Sequence, residues 1–152
     1  MSYQVRKKIS VEYAHQLFSS YTSLCHETIH GHSGKIELYF QSNTHDGDKL
    51  NPDQMVVDFG LISDTIKKDI MEKFDHALFM PSSFDIAYLN MLKKYNKRLT
   101  VTPVNPTAEY FAKLIFEMVE EKLKTLTTAI RLLKVRFHET ETGYAEYYNT
   151  IK

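Results

Sequence analysis

Histidines at 30 and 32 flank a glycine, and a third histidine stands upstream at position 15. On an extended backbone, residues i and i+2 project to the same face of a sheet. His30 and His32 are therefore expected to point together, and His15 on a preceding strand would complete three imidazole ligands around one metal ion. Three protein ligands with a fourth position open is the arrangement of a catalytic zinc centre rather than a structural one. Gly31 between the pair is expected to leave the backbone open to a metal and a substrate. The only cysteine, Cys25, lies five residues before His30. A thiol beside a cation ionises more readily and can accept a proton at neutral pH. Taken singly, each histidine reads as a surface or hydrogen-bonded residue, and a free cysteine reads as a small buried hydrophobe. Their joint spacing turns the reading towards chemistry.

The elements that must position these residues follow from periodicity. Val5 to Tyr13 alternates loosely, with Ile9, Val11 and Tyr13 on one face, which predicts a strand. A polar loop with Ser19, Ser20, Thr22 and Ser23 then carries Cys25. A second strand is expected from about Gly31 to Gln41, with Ile36, Leu38 and Phe40 on one side. Asn43-Thr44-His45-Asp46-Gly47-Asp48 is turn chemistry. Asp58 is placed to cap a helix whose apolar positions Phe59, Ile62, Ile66, Ile70 and Phe74 recur at helical spacing, ending near Asp75-His76. A weaker helical stretch, about Phe84 to Tyr95, looks inserted, and the segment from Met80 to Val104 around it carries an insertion to which the sequence assigns no role. The last helix is expected to open at Asn105-Pro106 with proline in its first turn, along a stripe of Phe111, Leu114, Ile115, Met118, Val119 and Leu123. Two closing strands, about Ile130 to Glu139 and Tyr144 to Asn149, are joined at Thr142-Gly143. The order is strand-strand, helices, strand-strand, an α+β arrangement.

At 152 residues the chain is expected to form a single domain with a real core. Nineteen basic and nineteen acidic side chains balance, so nothing draws it to nucleic acid or an anionic membrane. One cysteine makes no intrachain disulfide, which fits a reducing cytoplasm. The first residues hold no apolar signal region, and no apolar run approaches the roughly 20 residues needed to span a bilayer. A soluble cytoplasmic protein is expected. Hairpins at both ends leave open sheet edges, and ten tyrosines with nine phenylalanines supply material for subunit contacts.

Six motifs stand in one register across residues 5 to 150. They are Tyr13-Ala14-His15, Cys25 with His30-Gly31-His32, Met55-Val56-Val57-Asp58-Phe59, Phe74-Asp75-His76, Asn105-Pro106-Thr107-Ala108-Glu109, and His138-Glu139-Thr140. Together they resemble the 6-pyruvoyltetrahydropterin synthase family, which includes the bacterial 6-carboxytetrahydropterin synthases of the queuosine pathway. The resemblance implies a tunnelling fold: an antiparallel four-stranded sheet with helices on one face, three subunits closing a barrel, and two trimers forming a homohexamer. It implies Zn2+ on His15, His30 and His32, and Cys25 as proton acceptor. It implies that Asp75 and His76 reach the cysteine of an adjacent subunit as a proton relay, where local position alone reads the pair as a helix-end cap. Glu139 would hold the pterin ring and join that relay, since a carboxylate accepts two N–H donors at once; Glu109 reads equally as a second contact to the ring or as an ordinary glutamate in a helix's first turn.

Three further readings bear on the product and the site. Four residues separate Cys25 from His30, more than is usual in bacterial queuosine members and fewer than in animal ones. One branch of the family places a glutamate in this loop, and Glu27 stands two residues from Cys25. Asp58 reads as a helix cap rather than a catalyst, Lys35 and Arg131 are candidate triphosphate contacts, and His26, His45 and His138 have no assigned role. The expected activity is conversion of 7,8-dihydroneopterin triphosphate to 6-carboxy-5,6,7,8-tetrahydropterin with loss of triphosphate and acetaldehyde. The alternatives are a pyruvoyl product, a hydroxymethyl pterin made with Glu27 as base, or a metal- and pterin-binding protein without turnover.

Overall fold

A computed structural model describes residues 3–43 and 54–149. Beyond Asn43, the expected turn with His45 lies outside the described residues. In chain order the elements are β1 (Gln4–His15), α1 (Ser23–Glu27), β2 (His30–Ser42), α2 (Phe59–Ile62), a π-turn (Ser63–Lys67), α3 (Lys68–Phe74), β3 (Ala77–Pro81), α4 (Ile86–Tyr95), β4 (Leu99–Thr102), α5 (Ala108–Leu126), β5 (Ile130–His138) and β6 (Tyr144–Tyr148).

Alternation does what it predicts in β1 and β2. They pair antiparallel from Gln4 opposite Gln41 to His15 opposite His30. Ile9, Val11 and Tyr13 lie buried beside Ile36, Leu38 and Phe40, under the helices. β5 pairs with β2 through an irregularity between Tyr39 and Phe40, and β6 completes the closing hairpin. Five phenylalanines (40, 74, 79, 111 and 137) are almost fully buried at the centre of this core.

The sheet itself differs from expectation. It is mixed and six-stranded, in the order β4-β3-β1-β2-β5-β6, rather than antiparallel and four-stranded. β3 runs parallel to β1, and β4 parallel to β3, with α4 crossing between them. Ala77 to Pro81 is buried throughout, and a strand covered on both faces shows no polar alternation to read.

Two helices also depart from the sequence reading, each for a local reason. Asp58 does cap α2, accepting from the Gly60 N–H at 2.7 Å. Phe59, however, lies outside the stripe and is half exposed, with Lys7 over its ring. The buried residues Ile62, Ile66, Ile70 and Phe74 repeat every four residues, which drifts roughly 40° per step on an α-helix of 3.6 residues per turn. The π-turn winds more slowly and takes back part of that drift. α5 begins after Pro106 rather than on it, because Thr107 is the cap, its hydroxyl accepting from the Tyr110 N–H.

Candidate metal centre and active site

β1 ends on His15, and the antiparallel register sets His30 directly opposite. His15 is 1% exposed, and its Nδ1 donates to the Pro106 carbonyl at 2.7 Å. His30 Nδ1 likewise lies 3.1 Å from the Thr28 carbonyl. A carbonyl only accepts, so each ring carries its proton on Nδ1 when neutral. The two Nε2 atoms, 3.0 Å apart, then face each other with bare lone pairs. The Nε2 of His32 is buried with no hydrogen-bond partner. One ring nitrogen from each of the three residues lies within 4.8 Å of the others. Lone pairs converging on one point from oriented rings, one of them otherwise unsatisfied, fit a cation. The Pro106 and Thr28 carbonyls are the outer partners that fix tautomer and ring direction at metal sites.

The electrostatics agree with the geometry. Burial lowers the His15 pKa to about 4, with His30 and His32 adding to the shift and the Pro106 carbonyl opposing it. Burial also lowers His32, helped by His30 and resisted by Glu139. Both rings are neutral at neutral pH, which is the form that binds a metal. Glu139 follows the last residue of β5, and its Oε1 sits 3.6 Å from His15 Nε2 and 3.9 Å from His32 Nε2. Tyr13 packs edge-on or tilted against His15, His32, Phe79, Phe111 and Phe137. Burial, and then Glu139, push its ionisation upward, so it stays a phenol. Gly34 makes room for that ring: a Cβ there would lie 3.0 Å from Tyr13 Cε1 and 3.3 Å from Phe137 Cζ.

Gly31 does not serve the metal side. The two-residue period turns position 31 away from His30 and His32, and a Cβ there would meet only the Tyr13 carbonyl, at 3.4 Å. It lines a cleft of about 570 Å³ shared with Glu12, Tyr13, His32, Ser33 and His76.

The remaining expected residues fall into three groups. Cys25 is half-buried in the middle of α1, where its carbonyl accepts from the N–H of Leu17, two residues beyond the end of β1, at 3.0 Å. The Thr22 hydroxyl donates to its Sγ at 3.6 Å, and Glu27 is exposed at the end of α1. Asp75 ends α3 and His76 follows with a left-handed φ of 56°. Asp75 accepts from the Glu12 N–H at 3.0 Å and lies 2.9 Å from His76 Nδ1. These bonds, the Glu12 N–H first, hold its carboxyl below the usual carboxylate range. Among the described residues, no hydrogen bond or ion pair joins Cys25 to Asp75 or His76. Glu109 is exposed in the first turn of α5 and borders a separate cleft with Asn105, Tyr110 and Tyr147. Lys35 pairs with Glu141, Arg131 bonds Gln41 at 3.0 Å, and His138 faces buried Glu37.

The protomer thus brings His15, His30, His32 and Glu139 to one point. It joins Asp75 to His76, sets His76 on the cleft with Glu12, Gly31 and Ser33, and leaves Cys25 and Glu109 on elements of their own. Sequence reasoning missed the Pro106 and Thr28 carbonyls, because a backbone acceptor leaves no mark on residue type.

Comparison with known proteins bears on the same residues. A 6-carboxy-5,6,7,8-tetrahydropterin synthase of Haemophilus influenzae is 26% identical over 147 residues, covering 95% of this chain and 98% of that one. The synthase of the same name from Rickettsia conorii is 30% identical over 118 residues, covering 78% and 81%. In fold, an uncharacterized protein of Wolinella succinogenes superposes with a TM-score of 0.79 at 21% identity, over 97% and 98% of the two chains. The 6-pyruvoyl tetrahydropterin synthase of Plasmodium vivax superposes with a TM-score of 0.67 at 17% identity, over 99% and 100%. The 6-pyruvoyl tetrahydropterin synthase family pattern spans residues 4–150, from the first strand to the last and through every histidine of the cluster. The chain belongs to the 6-pyruvoyl tetrahydropterin synthase family, whose enzymes are pterin lyases.

Proposed function

We propose that the protein is a zinc-dependent lyase that converts 7,8-dihydroneopterin triphosphate to 6-carboxy-5,6,7,8-tetrahydropterin, releasing triphosphate and acetaldehyde, in 7-deazapurine (queuosine) biosynthesis. The carrying observation is the convergence of three imidazoles beside Glu139, two of them oriented by backbone carbonyls, in a chain whose relatives bear that synthase's name. His15, His30 and His32 would hold the ion. Zinc suits an all-imidazole set with a position left open, and supplies Lewis acidity towards the substrate's side-chain hydroxyls.

The protein's own groups have separable tasks. Glu139 accepts the N–H donors of the aminopyrimidinone edge, which seats the ring beside the three imidazoles. Cys25 accepts a proton from the substrate side chain. Asp75 takes the His76 Nδ1 proton in a hydrogen bond and fixes that ring, which leaves Nε2 free to pass protons. Glu109 adds a second ring contact. Cys25 and the Asp75–His76 pair sit on separate elements, which suits a centre completed by a neighbouring subunit in a hexamer of two trimers. A free, proton-accepting thiol suits a reducing cytoplasm.

The test is mass analysis of products after incubating zinc-loaded protein with 7,8-dihydroneopterin triphosphate. Carboxytetrahydropterin with acetaldehyde is the expected result. A pyruvoyl or hydroxymethyl pterin, or intact substrate, would overturn the assignment. Cys25→Ala is expected to lower turnover by at least about 100-fold with zinc content preserved. Unchanged turnover in that variant would remove Cys25 from the chemistry, and Glu27→Gln separates the glutamate branch.

A further inference from the structure

We propose that the β3–α4–β4 unit is a brace for the proton-handling groups: Tyr88 sets the helix that carries Cys25, and Arg98 sets the Asp75–His76 pair. The inference rests on the reading of Cys25 and His76 given above, and makes Tyr88 and Arg98 positioning residues.

The unit has the rigidity a brace needs. Leu78 and Met80 of β3 pack with Leu89 and Leu92 of α4 in an apolar cluster separate from the main core, and Leu99 of β4 closes against it. From this small core two polar arms extend, one to each element.

The first arm reaches α1. That helix has five residues, none of them buried, and no side-chain cap. A helix so short is unstable by itself, and this one has no apolar anchor, so polar ties decide where it sits. The Tyr88 hydroxyl donates to Gln16 Oε1 at 3.0 Å, and Gln16 Nε2 donates to the His26 carbonyl at 2.8 Å. Gln16 is 7% exposed, and both ends of its amide are used. One buried side chain therefore bridges α4 to the residue after Cys25, beside the Leu17 N–H bond to the Cys25 carbonyl. Phe84, from the same unit, packs edge-on against Phe18 in the loop leading to α1, with ring centroids 5.3 Å apart.

The second arm reaches the end of α3. Arg98 Nε donates to the Asp75 carbonyl at 3.0 Å, and its Nη2 donates to the Glu72 carbonyl. Carbonyls in the last turn of a helix have no partner within it, and a cation there also meets the negative end of the helix dipole. The fork thus grips the chain one residue before the left-handed turn at His76. A non-glycine residue holds such a φ only where its surroundings over-determine it.

The test uses Tyr88→Phe and Arg98→Met in the zinc-loaded protein, with Arg98→Lys as the second choice if Arg98→Met does not fold. Four quantities are read for each: Cys25 alkylation rate by iodoacetamide, the His76 ring signal in NMR, kcat with KM, and zinc content. Tyr88→Phe is expected to change the alkylation rate several-fold and leave the His76 signal in place. The Arg98 variant is expected to shift the His76 signal and leave the alkylation rate alone. In both, kcat falls by about 10- to 100-fold, the scale of a misplacement near 1 Å, with KM and zinc content held. Two results overturn the brace: readouts that match wild type in both variants, or both readouts moving together in each variant. If wild type turns nothing over while alkylation and ring signals still separate by arm, the brace stands and the assigned reaction fails.

Discussion

Replacing His32 with alanine should separate metal binding from packing, because its two effects have different signs. In metal-free protein the buried His32 Nε2 has no partner, and an unsatisfied buried polar atom costs about 1–3 kcal/mol. Removing the ring abolishes that cost, and gives up its tilted contact with Tyr13 at 5.6 Å, so stability without metal should move by no more than about 1 kcal/mol. With zinc the balance changes. A ligand at 100 times its Kd stabilises by about 2.7 kcal/mol, and in a chain of this size each kcal/mol raises Tm by about 2–4 °C. Wild-type protein should therefore gain roughly 5–11 °C on zinc addition, and His32→Ala only about 2 °C or less at the same zinc concentration. Differential scanning calorimetry of chelator-treated protein, with and without zinc, reads both numbers. His15→Ala supplies the contrast. It orphans the Pro106 carbonyl and should lose about 1–3 kcal/mol even without metal. An undiminished zinc-dependent gain in His32→Ala, or a metal-free loss above about 3 kcal/mol, would show that the ring is a packing residue and refute the metal centre.

Two further outcomes follow from the same geometry. Gly34→Ala presses a methyl onto a Tyr13 ring hemmed in by Phe79, Phe111 and Phe137, so it should cost about 1–2 kcal/mol in urea unfolding; a neutral or stabilised variant would mean the ring has room to move. Asp75 is held below its ordinary range by the Glu12 N–H first and then by His76. A depressed folded pKa gives stability that is complete above the unfolded value near 3.9 and is lost as pH falls through the folded one. The advantage of wild type over Asp75→Asn should therefore shrink below about pH 4; a gap constant from pH 7 to 3 would discount the bond.

What is legible in the chain is whatever follows a period. β1 and β2 alternate because one face meets the core, with Glu37 the buried exception on the other face, so spacing alone assigns the faces of His15, His30 and His32. The closing hairpin at Gly143 is legible for the same reason, and so is most of the α5 stripe, although Ala112 and Phe116 are buried and the expected Leu114 and Met118 only partly so. β3 is not, since Ala77 to Pro81 is buried throughout and carries no polar residue to mark a face. β4, four residues long, is too short to show a pattern. The stretch from 80 to 104 reads as an insertion without a role, because its bonds to Gln16 and Asp75 span 72 and 23 residues of sequence. Pro106 is expected inside a helix, where its ring fits the first turn. Its carbonyl is needed outside the helix, on His15, and a backbone acceptor is invisible to residue type.

The ladder between β1 and β2 has one more consequence. His15 and His30 stand opposite each other at the end of twelve paired positions, and His32 shares their face only because side chains alternate along the strand. A slip of one residue in that pairing turns a strand's whole inner set outward. His30 and His32 would then sit across the sheet from His15, and no three nitrogens could meet. An ion held by these three nitrogens would therefore report strand register: a chain that had zipped its first hairpin wrongly could not assemble the set.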